Sequence, residues 1–335
     1  MTRIALDAMG GDHAPMEIVR GARDAAYELG VHIILVGDQE KIQRELDGDA
    51  AGGLISIVHA PEVVEMDEHP VNAIRKKKNS SIGVATQLVK EGTADAVVSA
   101  GNTGAQMASS LFILGRIAGV DRPAISTLLP TAGGVVALLD VGANVDCRPQ
   151  HLKQFAVMGS LYAEKVLGLP NPRVGLLNIG AEETKGNELT LAAYQLLKEA
   201  EINFVGNVEG RDLFLGTSDV AICDGFVGNV VLKSAESLAM SILGMFQQEL
   251  GRLEDILGRE RIMHIMSGFK RRMDYAEYGG APLLGVDGVS VISHGSSRAR
   301  AIKNAVRVAK ETVEQRLVPA IKASLEKEIG KGVDN

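Results

Sequence analysis

The chain has 335 residues, with 35 Lys or Arg against 42 Asp or Glu, so its formal net charge is −7. This balance excludes the global basic field of a DNA- or RNA-binding protein, and the lack of tryptophan argues against a stacking surface for single-stranded nucleic acid. Cys147 and Cys223 are far apart and form no metal or redox spacing, which fits a reducing cytoplasm. We therefore expect a cytoplasmic protein that binds no nucleic acid.

No segment has the pattern of a signal peptide or a membrane-spanning helix. The first residues lack a charged start followed by an apolar stretch. The longest apolar region, around 104–120, is interrupted by Gln106 and Arg116 and is too short and too polar to cross a bilayer. We expect no span within the chain.

Short apolar runs alternate along the chain with segments of helical periodicity, such as 15–29 and 150–167. Many of these runs are apolar throughout, which is typical of strands covered on both faces. Repeated β–α alternation predicts a mostly parallel sheet wrapped by helices. The predicted strands are 3–7, 32–36, 54–58, 96–99, 124–129, 135–140, 173–179, 203–205, 220–223 and 289–293.

Polar, glycine-rich loops follow many of the predicted strands. In parallel sheets, ligands bind beyond the carboxyl ends of the strands, where such loops gather. We therefore expect the functional site among these loops. They are 7–15, 99–104, 140–144, 178–187, 224–229 and 294–297.

The first loop places Gly10 and Gly11 before a helix that Pro15 opens. Backbone N–H groups of such a turn, together with a helix N-terminus, favour a phosphate. The alternative is a plain strand-to-helix turn, with Asp12 or His13 helping to cap the helix. The loop lacks the third glycine of a dinucleotide fingerprint and the final Gly-Lys-Ser/Thr of a P-loop.

Five further loop positions carry donors. Asn102, Thr103 and Asn144 suit an oxyanion or a bound phosphate, although Asn and Thr also close loops by bonding their own backbone. Lys185 is either a charge partner for phosphate or a surface lysine, and His294 is either functional or structural. No Gly-x-Ser-x-Gly elbow and no metal-ligand spacing is present in the sequence.

Residues 236–273 have a long helical pattern broken at Gly258, which predicts a helical hairpin at about 235–273. In one interpretation, the apolar residues of this hairpin pack in the core or in a dimer interface. In the other, an apolar turn at Leu253, Ile256 and Leu257 contacts an anionic bilayer. The arginines that flank this turn are Arg252, Arg259 and Arg261.

Taken together, these loops resemble those of the bacterial phosphate acyltransferase family, which supplies acyl phosphate to glycerol-3-phosphate acylation in phospholipid synthesis. The resemblance covers nearly the whole chain and leaves out only a tail at 330–335. The segments that carry it are 7–15, 70–81, 99–104, 139–144, 178–187, 224–233, 278–286 and 294–297.

The resemblance implies a three-layer α/β/α fold with a mostly parallel sheet, similar to isocitrate and isopropylmalate dehydrogenases and to phosphate acetyltransferases. Residues 1–329 form one catalytic unit from which the hairpin projects, and 330–335 form a disordered tail. It also implies a homodimer without cofactor or metal, located in the cytoplasm and attached peripherally to the inner face of the cell membrane.

The implied reaction converts acyl-acyl carrier protein and inorganic phosphate to acyl phosphate and free carrier protein. Phosphate is an adequate nucleophile near neutral pH. The leaving thiolate has a conjugate acid of pKa about 8.5 by analogy with cysteine, so a strong general acid is optional. The enzyme needs to hold phosphate beside the thioester and stabilise the tetrahedral oxyanion.

We assign roles to loop residues on this basis. Phosphate lies among Gly10, Gly11, Asn102, Thr103 and Lys185. Asn144 and Asn229 donate to the oxyanion or carbonyl, and His294 protonates the departing sulfur. Asp140 and Asp224 orient these groups. The other expected substrate-binding residues are Asp12, His13 and Lys233.

Two basic runs, 75–78 and 270–272, are either solvated surface or docking sites, and the second can dock the acidic carrier protein. Three alternative functions stay open at this point: a phosphate acetyltransferase-like enzyme that uses acyl-CoA, a nicotinamide- and metal-dependent dehydrogenase of the same implied fold, and a membrane-recruited scaffold without catalysis. The basic runs and the apolar hairpin argue against the first, and the lack of clustered metal carboxylates argues against the second.

Overall fold

The computed structural model describes residues 1–252, 258–273 and 279–333, with the backbone alone for 270–273 and 328–333. These residues contain one sheet of eleven strands. The strands are β1 (Arg3–Asp7), β2 (His32–Gly37), β3 (Ile55–His59), β4 (Ala96–Ser99), β5 (Ala124–Thr131), β6 (Gly134–Leu139), β7 (Arg173–Leu177), β8 (Asn203–Val208), β9 (Val220–Ile222), β10 (Ala281–Leu284) and β11 (Val289–Ile292).

Twelve helices are described, along with a short 3-10 turn at Ala51–Gly53 and a π-helical turn at Ser110–Leu114. The helices are α1 (Met16–Leu29), α2 (Gln39–Leu46), α3 (Pro70–Lys76), α4 (Ser81–Lys90), α5 (Thr103–Ser109), α6 (Pro149–Lys165), α7 (Glu188–Lys198), α8 (Asp212–Leu215), α9 (Gly225–Gly251), α10 (Arg259–Met273), α11 (Ala299–Glu314) and α12 (Leu317–Val333).

The strand order is β3-β2-β1-β4-β11-β10-β5-β6-β9-β7-β8. Seven of the ten strand pairs are parallel, which confirms the predicted mostly parallel sheet. The antiparallel pairs are β10 with β11, β10 with β5, and β5 with β6. We call β3-β2-β1-β4-β11 the β1 half and β6-β9-β7-β8 the β6 half.

Helices cover both faces of the sheet because successive strand residues point to opposite sides. In β1, Ile4 and Leu6 pack with α1, α2 and α11, while Ala5 packs with α3, α4 and α5 on the other face. In β6, Leu139 faces α6, α7 and α12, whereas Leu138 belongs to the opposite face. The predicted three-layer α/β/α architecture is confirmed.

Strand β10 was not predicted from the sequence, and it changes where the loops lie. Its run contains Pro282, which lacks a backbone N–H and weakens the strand pattern. Three successive antiparallel pairs reverse the chain between the halves, so the carboxyl ends of the β6 half point away from those of the β1 half. The glycine-rich loops therefore form two groups instead of gathering at one edge.

Helix α9 is the long apolar segment of the described chain. It spans 27 residues, and its most apolar stretch of 18 has a mean hydropathy of 1.3 and is 6% buried. By length and composition alone, α9 is able to cross a membrane. The sequence expectation that the longest apolar region lies around 104–120 was wrong, because it overlooked how few charges follow Glu236 along α9.

Two helices lie where the hairpin is predicted. The arms are α9 and α10, and the rings of Phe246 and Phe269 stack between them with centroids 5.7 Å apart. The predicted tip at Leu253, Ile256 and Leu257 lies outside the described residues, as do the side chains of Lys270, Arg271 and Arg272. At the end of the chain, α12 continues through 330–333, where the sequence predicts a disordered tail, since helix propagation adds one bond per residue. Residues 334–335 lie outside the described part.

Candidate active site

A cavity of about 200 Å³ lies between the two halves, over the central strands. Its floor is formed by one face of β5, β10 and β11, through Ile125, Thr127, Ala281 and Ile292. Loops of the β1 half form one wall and α9 forms the other. The polar side chains that line it are Thr103, Thr127, Ser293, His294, Ser297, Asn229, Lys233 and Glu236.

Three loops of the β1 half touch one another beside this cavity. A Cβ at Gly10 would lie 2.5 Å from Oδ2 of Asp7 and 2.8 Å from the backbone nitrogen of Gly101, so only glycine lets the loops after β1 and β4 meet. The loop after β11 joins them, because the N–H of Asp12 donates to the carbonyl of Gly295 at 2.8 Å. These contacts fix the main-chain groups of the three loops relative to one another.

The carboxylate of Asp7 holds the loops after β1 and β4 together. It accepts hydrogen bonds from the Ser99 hydroxyl at 2.7 Å and the Met9 N–H at 3.2 Å, and the N–H of Gly101 donates to Ser99 Oγ at 3.0 Å. Burial raises the pKa of Asp7, against the lowering effect of hydrogen bonds from Ser81 and Ser99. Asp7 was not predicted as a site residue, although an aspartate that ends an apolar strand is a signal for it.

The N-terminus of α5 points to an anion site. The side chain of Asn102 caps it by accepting from the Ala105 N–H at 3.0 Å, and its amide donates to three carbonyls of segment 65–68 at 3.0–3.2 Å. Asn102 therefore has the loop-closing role. The helix gives the N–H groups of Thr103 and Gly104 no intrahelical partner, and Thr103 lines the cavity.

The N-terminus of α11 is already occupied by a carboxylate. The N–H of Ala299 donates to Oε2 of Glu17 at 2.9 Å, and this hydrogen bond lowers the pKa of Glu17. Of the helices that begin after β4 and β11, α5 is therefore the better anion site.

Asp140 organises the loop after β6. Its fully buried carboxylate accepts five hydrogen bonds from nitrogen donors, and burial raises its pKa against their lowering effect. The donors are the backbone N–H groups of Ile125, Gly142, Ala143 and Asn144, at 3.2, 3.2, 2.9 and 2.7 Å, and the Asn144 amide at 2.8 Å.

Asn144 has both amide hydrogens engaged, because the amide also donates to the carbonyl of Pro123 at 2.7 Å. It therefore has no amide hydrogen left for a substrate oxygen. The geometry gives Asn144 a positioning role in place of the predicted oxyanion donor.

The loop after β6 also packs against the start of α9. Asp224 caps this helix by accepting from the N–H groups of Phe226 and Val227 at 3.0 and 2.9 Å. Gly225 and Gly228 press against the loop, and a Cβ at Gly225 would lie 2.7 Å from the Asn144 carbonyl oxygen. One and two turns further on, α9 presents Asn229 and Lys233 to the cavity.

Lys233 lies within the cavity wall and pairs with Glu236, with Nζ 3.0 Å from Oε2. Lys185, the lysine favoured from the sequence, is exposed in the loop after β7 and does not line the cavity. Its N–H donates to Glu182 and its carbonyl accepts from Asn178, so the loop is ordered around its backbone. The structure therefore favours Lys233 as the cation of the site.

His294 lies at the cavity wall in the loop after β11. Its Nδ1 accepts from the Ser296 N–H at 3.2 Å and lies 2.8 Å from the Ser296 hydroxyl oxygen. The adjacent hydroxyls of Ser293 and Ser297 are 2.9 Å apart and buried.

Four predicted site residues thus line the cavity, namely Thr103, Asn229, Lys233 and His294. The others lie in the two loop groups without lining it: Gly10, Gly11, Asp12, His13, Asn102, Asp140, Asn144, Asp224 and Lys185. Sequence reasoning missed Thr127, whose signal was a polar side chain inside the apolar run of β5. Within 1–252, 258–273 and 279–333, no three His, Cys, Asp or Glu residues are grouped to hold a metal ion.

Comparisons with known proteins agree on one family. A family profile described as "Fatty acid synthesis protein" matches residues 2–319. A phosphate acyltransferase from Desulforamulus reducens is 85% identical over 334 residues, which is 100% of both chains. A phosphate acyltransferase from Pelotomaculum thermopropionicum is 61% identical over 97% of this chain and 95% of its own.

Solved structures share the fold. A phosphotransacetylase from Streptococcus pyogenes matches with a TM-score of 0.66 at 17% identity and covers 94% of each chain. A branched-chain phosphotransacylase from Enterococcus faecalis matches with a TM-score of 0.58 at 16% identity, covering 93% of this chain and 99% of its own. At such identities the likeness shows the fold alone, and it confirms the predicted similarity to phosphate acetyltransferases.

Proposed function

This chain belongs to the phosphate acyltransferase family and is an acyl-transfer enzyme of fatty-acid and phospholipid synthesis, and we propose that it moves the acyl group of acyl-acyl carrier protein onto inorganic phosphate. The products are acyl phosphate, which feeds glycerol-3-phosphate acylation, and the free carrier thiol.

The observation that carries the proposal is the pairing of α5 with Lys233 across the cavity. The N-terminus of α5 offers the Thr103 hydroxyl and N–H groups that have no partner within the helix, and helix N-termini favour anions. Lys233 supplies a positive charge from the opposite wall, held in place by Glu236. A phosphate bound between them lies beside the loop group of Gly10, Gly11 and Gly101.

The remaining polar groups suit the acyl step. A phosphate oxygen attacks the thioester carbonyl, so that a C–O bond forms and the C–S bond breaks. Asn229 lies one turn before Lys233 on α9, and its amide donates to the tetrahedral oxyanion. His294 in its protonated, imidazolium form donates a proton to the departing thiolate and is left as neutral imidazole. No side chain needs to become acylated.

Acyl phosphate formation by the purified enzyme tests this function. With acyl-acyl carrier protein and phosphate, hydroxylamine is expected to trap acyl hydroxamate in amounts that depend on phosphate. Efficient turnover of acyl-CoA with none of the carrier substrate would favour the acetyltransferase-like alternative. A lack of acyl phosphate from either donor would favour the scaffold.

The hairpin arms support two further parts of the proposal, a homodimer and attachment to the inner face of the cell membrane. Large apolar side chains are exposed along both arms, with Leu238 61%, Met245 66% and Met263 63% accessible. A patch of this kind marks an interaction surface. A second copy covers the arms, and the apolar residues Leu253, Ile256 and Leu257, which the sequence predicts at the tip, contact anionic lipid.

The two roles separate experimentally. Leu238→Glu with Met245→Glu is expected to halve the mass measured by light scattering, whereas Leu191→Glu on α7 leaves it unchanged. The wild-type enzyme is expected to sediment with phosphatidylglycerol vesicles and not with phosphatidylcholine vesicles. A monomeric wild-type enzyme would contradict the dimer. Failure of the wild-type enzyme to sediment with either kind of vesicle would contradict the attachment.

A further inference from the structure

The basic run at 75–78 is not uniform in the structure. Lys77 turns inward, where Nζ lies 2.7 and 2.8 Å from the Glu68 carboxylate oxygens and 2.7 Å from the carbonyl of Val63. Arg75, Lys76 and Lys78 are exposed. Among the side chains of 1–252, 258–269 and 279–327, no carboxylate oxygen lies within 4.0 Å of the charged nitrogens of these three. Three uncompensated positive charges thus cluster on a chain whose net charge is −7.

An exposed aromatic ring completes this surface. Phe112, in the π-helical turn, is 52% accessible, and the guanidinium carbon of Arg75 lies 5.4 Å from its ring centroid. Arginine and phenylalanine are enriched at protein–protein interfaces, and arginine with other aromatic residues dominates their binding energy. A stacked cation over an exposed ring therefore suits protein recognition better than simple solvation.

The surface is connected directly to the cavity. Thr103 lines the cavity at the first turn of α5, and the same helical segment continues to Phe112. At about 1.5 Å per residue, the two residues are roughly 14 Å apart along the axis. Helix α3 packs on this segment, since a Cβ at Gly104 would lie 2.5 Å from Cγ of Pro70.

We propose that Arg75, Lys76, Lys78 and Phe112 form a docking patch for an acidic protein that carries the acyl thioester. The proposal rests on the proposed function, because only a protein-bound donor needs such a surface. Charge complementarity steers the donor to the patch, and a thioester on a flexible arm then reaches the cavity beside Thr103.

The test compares the Arg75→Glu, Lys78→Glu double variant with a control of equal charge change. The control is Lys41→Glu with Arg44→Glu on α2, which lies on the opposite face of the sheet. For each enzyme, KM and kcat are measured with acyl-acyl carrier protein and with an acyl-pantetheine thioester that lacks the protein, over a range of salt.

The patch variant is expected to raise KM for the carrier substrate about tenfold at low salt with little change in kcat, because rim charges act on association and are screened by salt. The increase shrinks toward that of the control at about 0.5 M salt. Turnover of the small thioester stays at the wild-type value. Phe112→Ala, which keeps the charges, raises KM for the carrier by about threefold at every salt concentration.

Several results would overturn the docking patch. They are an unchanged KM for the carrier, an equal loss with the small thioester, a change in oligomeric mass, and loss of vesicle binding with the carrier kinetics intact. If the wild-type enzyme uses the small thioester but not the carrier, the proposed function fails together with the patch. If the wild-type enzyme uses both substrates but the patch variants have the same kinetics as the control, the docking patch is contradicted and the proposed function is not.

Discussion

A buried aspartate lies beneath the glycine-rich loops in each half of the sheet, but Asp7 and Asp140 are held in different ways. Asp7 accepts from the hydroxyl of Ser99 and so ties the loop after β1 to the loop after β4. Asp140 accepts five hydrogen bonds from nitrogen donors. Four of these donors belong to residues 142–144 of its own loop, and the fifth is the N–H of Ile125.

The difference follows from what each half contributes to the cavity. The β1 half offers main-chain groups and a helix N-terminus, which need loops that are fixed to one another. The β6 half offers Asn229 and Lys233 from α9, a helix whose first turn alone is buried. The loop of Asp140 packs against the start of that helix. The hydrogen bonds to Asp140 therefore fix the conformation of this single loop.

The largest expected effect separates the two aspartates directly. Asp140→Asn places an amide where two donors from Asn144 converge, and it is expected to lower the free energy of unfolding by about 3 kcal/mol or more. Asp7→Asn is expected to cost about 1 kcal/mol, because the Ser99 hydroxyl can accept as well as donate. Urea denaturation measures both. Equal losses would contradict the comparison.

Lys233 tests whether the β6 half supplies the charge of the site. Lys233→Ala is expected to lower turnover about 100-fold, the scale for loss of one transition-state donor, with a weaker dependence on phosphate. Lys185→Ala is the matched control and is expected to stay near the wild-type rate, because Lys185 does not line the cavity. The reverse order would restore the sequence-based choice of Lys185.

His294 belongs to the β1 half and is expected to matter less than Lys233. Because a thiolate leaves without much help, His294→Asn is expected to slow the reaction about tenfold, below the roughly 100-fold or greater contribution of an essential acid. A steady-state pH profile shows whether the basic limb changes. A loss greater than that of Lys233→Ala would reverse the ranking of the two halves.

The pH dependence of stability is expected to show a smaller effect of Asp7. Burial raises its pKa in the folded state, so the folded protein binds the proton more tightly than the unfolded chain does. The free energy of unfolding therefore falls as pH rises from about 3.9, the ordinary carboxyl value, through the raised pKa, and then levels off. Asp7→Asn is expected to flatten this decline, as urea titrations between those values would show. An unchanged slope would mean that Asp7 does not hold a proton more tightly when folded.

The two thiols are expected to have the smallest effect, because neither half uses them in the reaction. Burial raises the pKa of Cys147 to about 12 and that of Cys223 well above its ordinary value, which leaves little thiolate near neutral pH. Cys147→Ala with Cys223→Ala is expected to keep turnover within about threefold if the protein stays folded. Isolation of a kinetically competent acyl-enzyme would contradict direct transfer.

The sequence predicted ten of the eleven strands within a few residues, because buried parallel strands are continuous apolar runs. It predicted a mostly parallel sheet but not the three antiparallel pairs that involve β5, β6, β10 and β11, since an apolar run reads the same whether it pairs parallel or antiparallel. That limit explains the choice of Lys185 over Lys233. Both lysines follow glycine-rich loops, and only the reversal through β10 and β5, together with the course of α9, shows which one reaches the cavity.

The position of β11 has a consequence for synthesis on the ribosome. This strand completes the β1 half by pairing with β4, yet the two are separated in the chain by the whole β6 half. At about 5–20 residues per second, β4 waits roughly ten to forty seconds for its neighbour. During that interval Val97 and Val98 stand at an open, apolar sheet edge, the kind of edge that recruits stray strands. The nascent β1 half is therefore open to pairing with stray strands at this edge until β11 has been made.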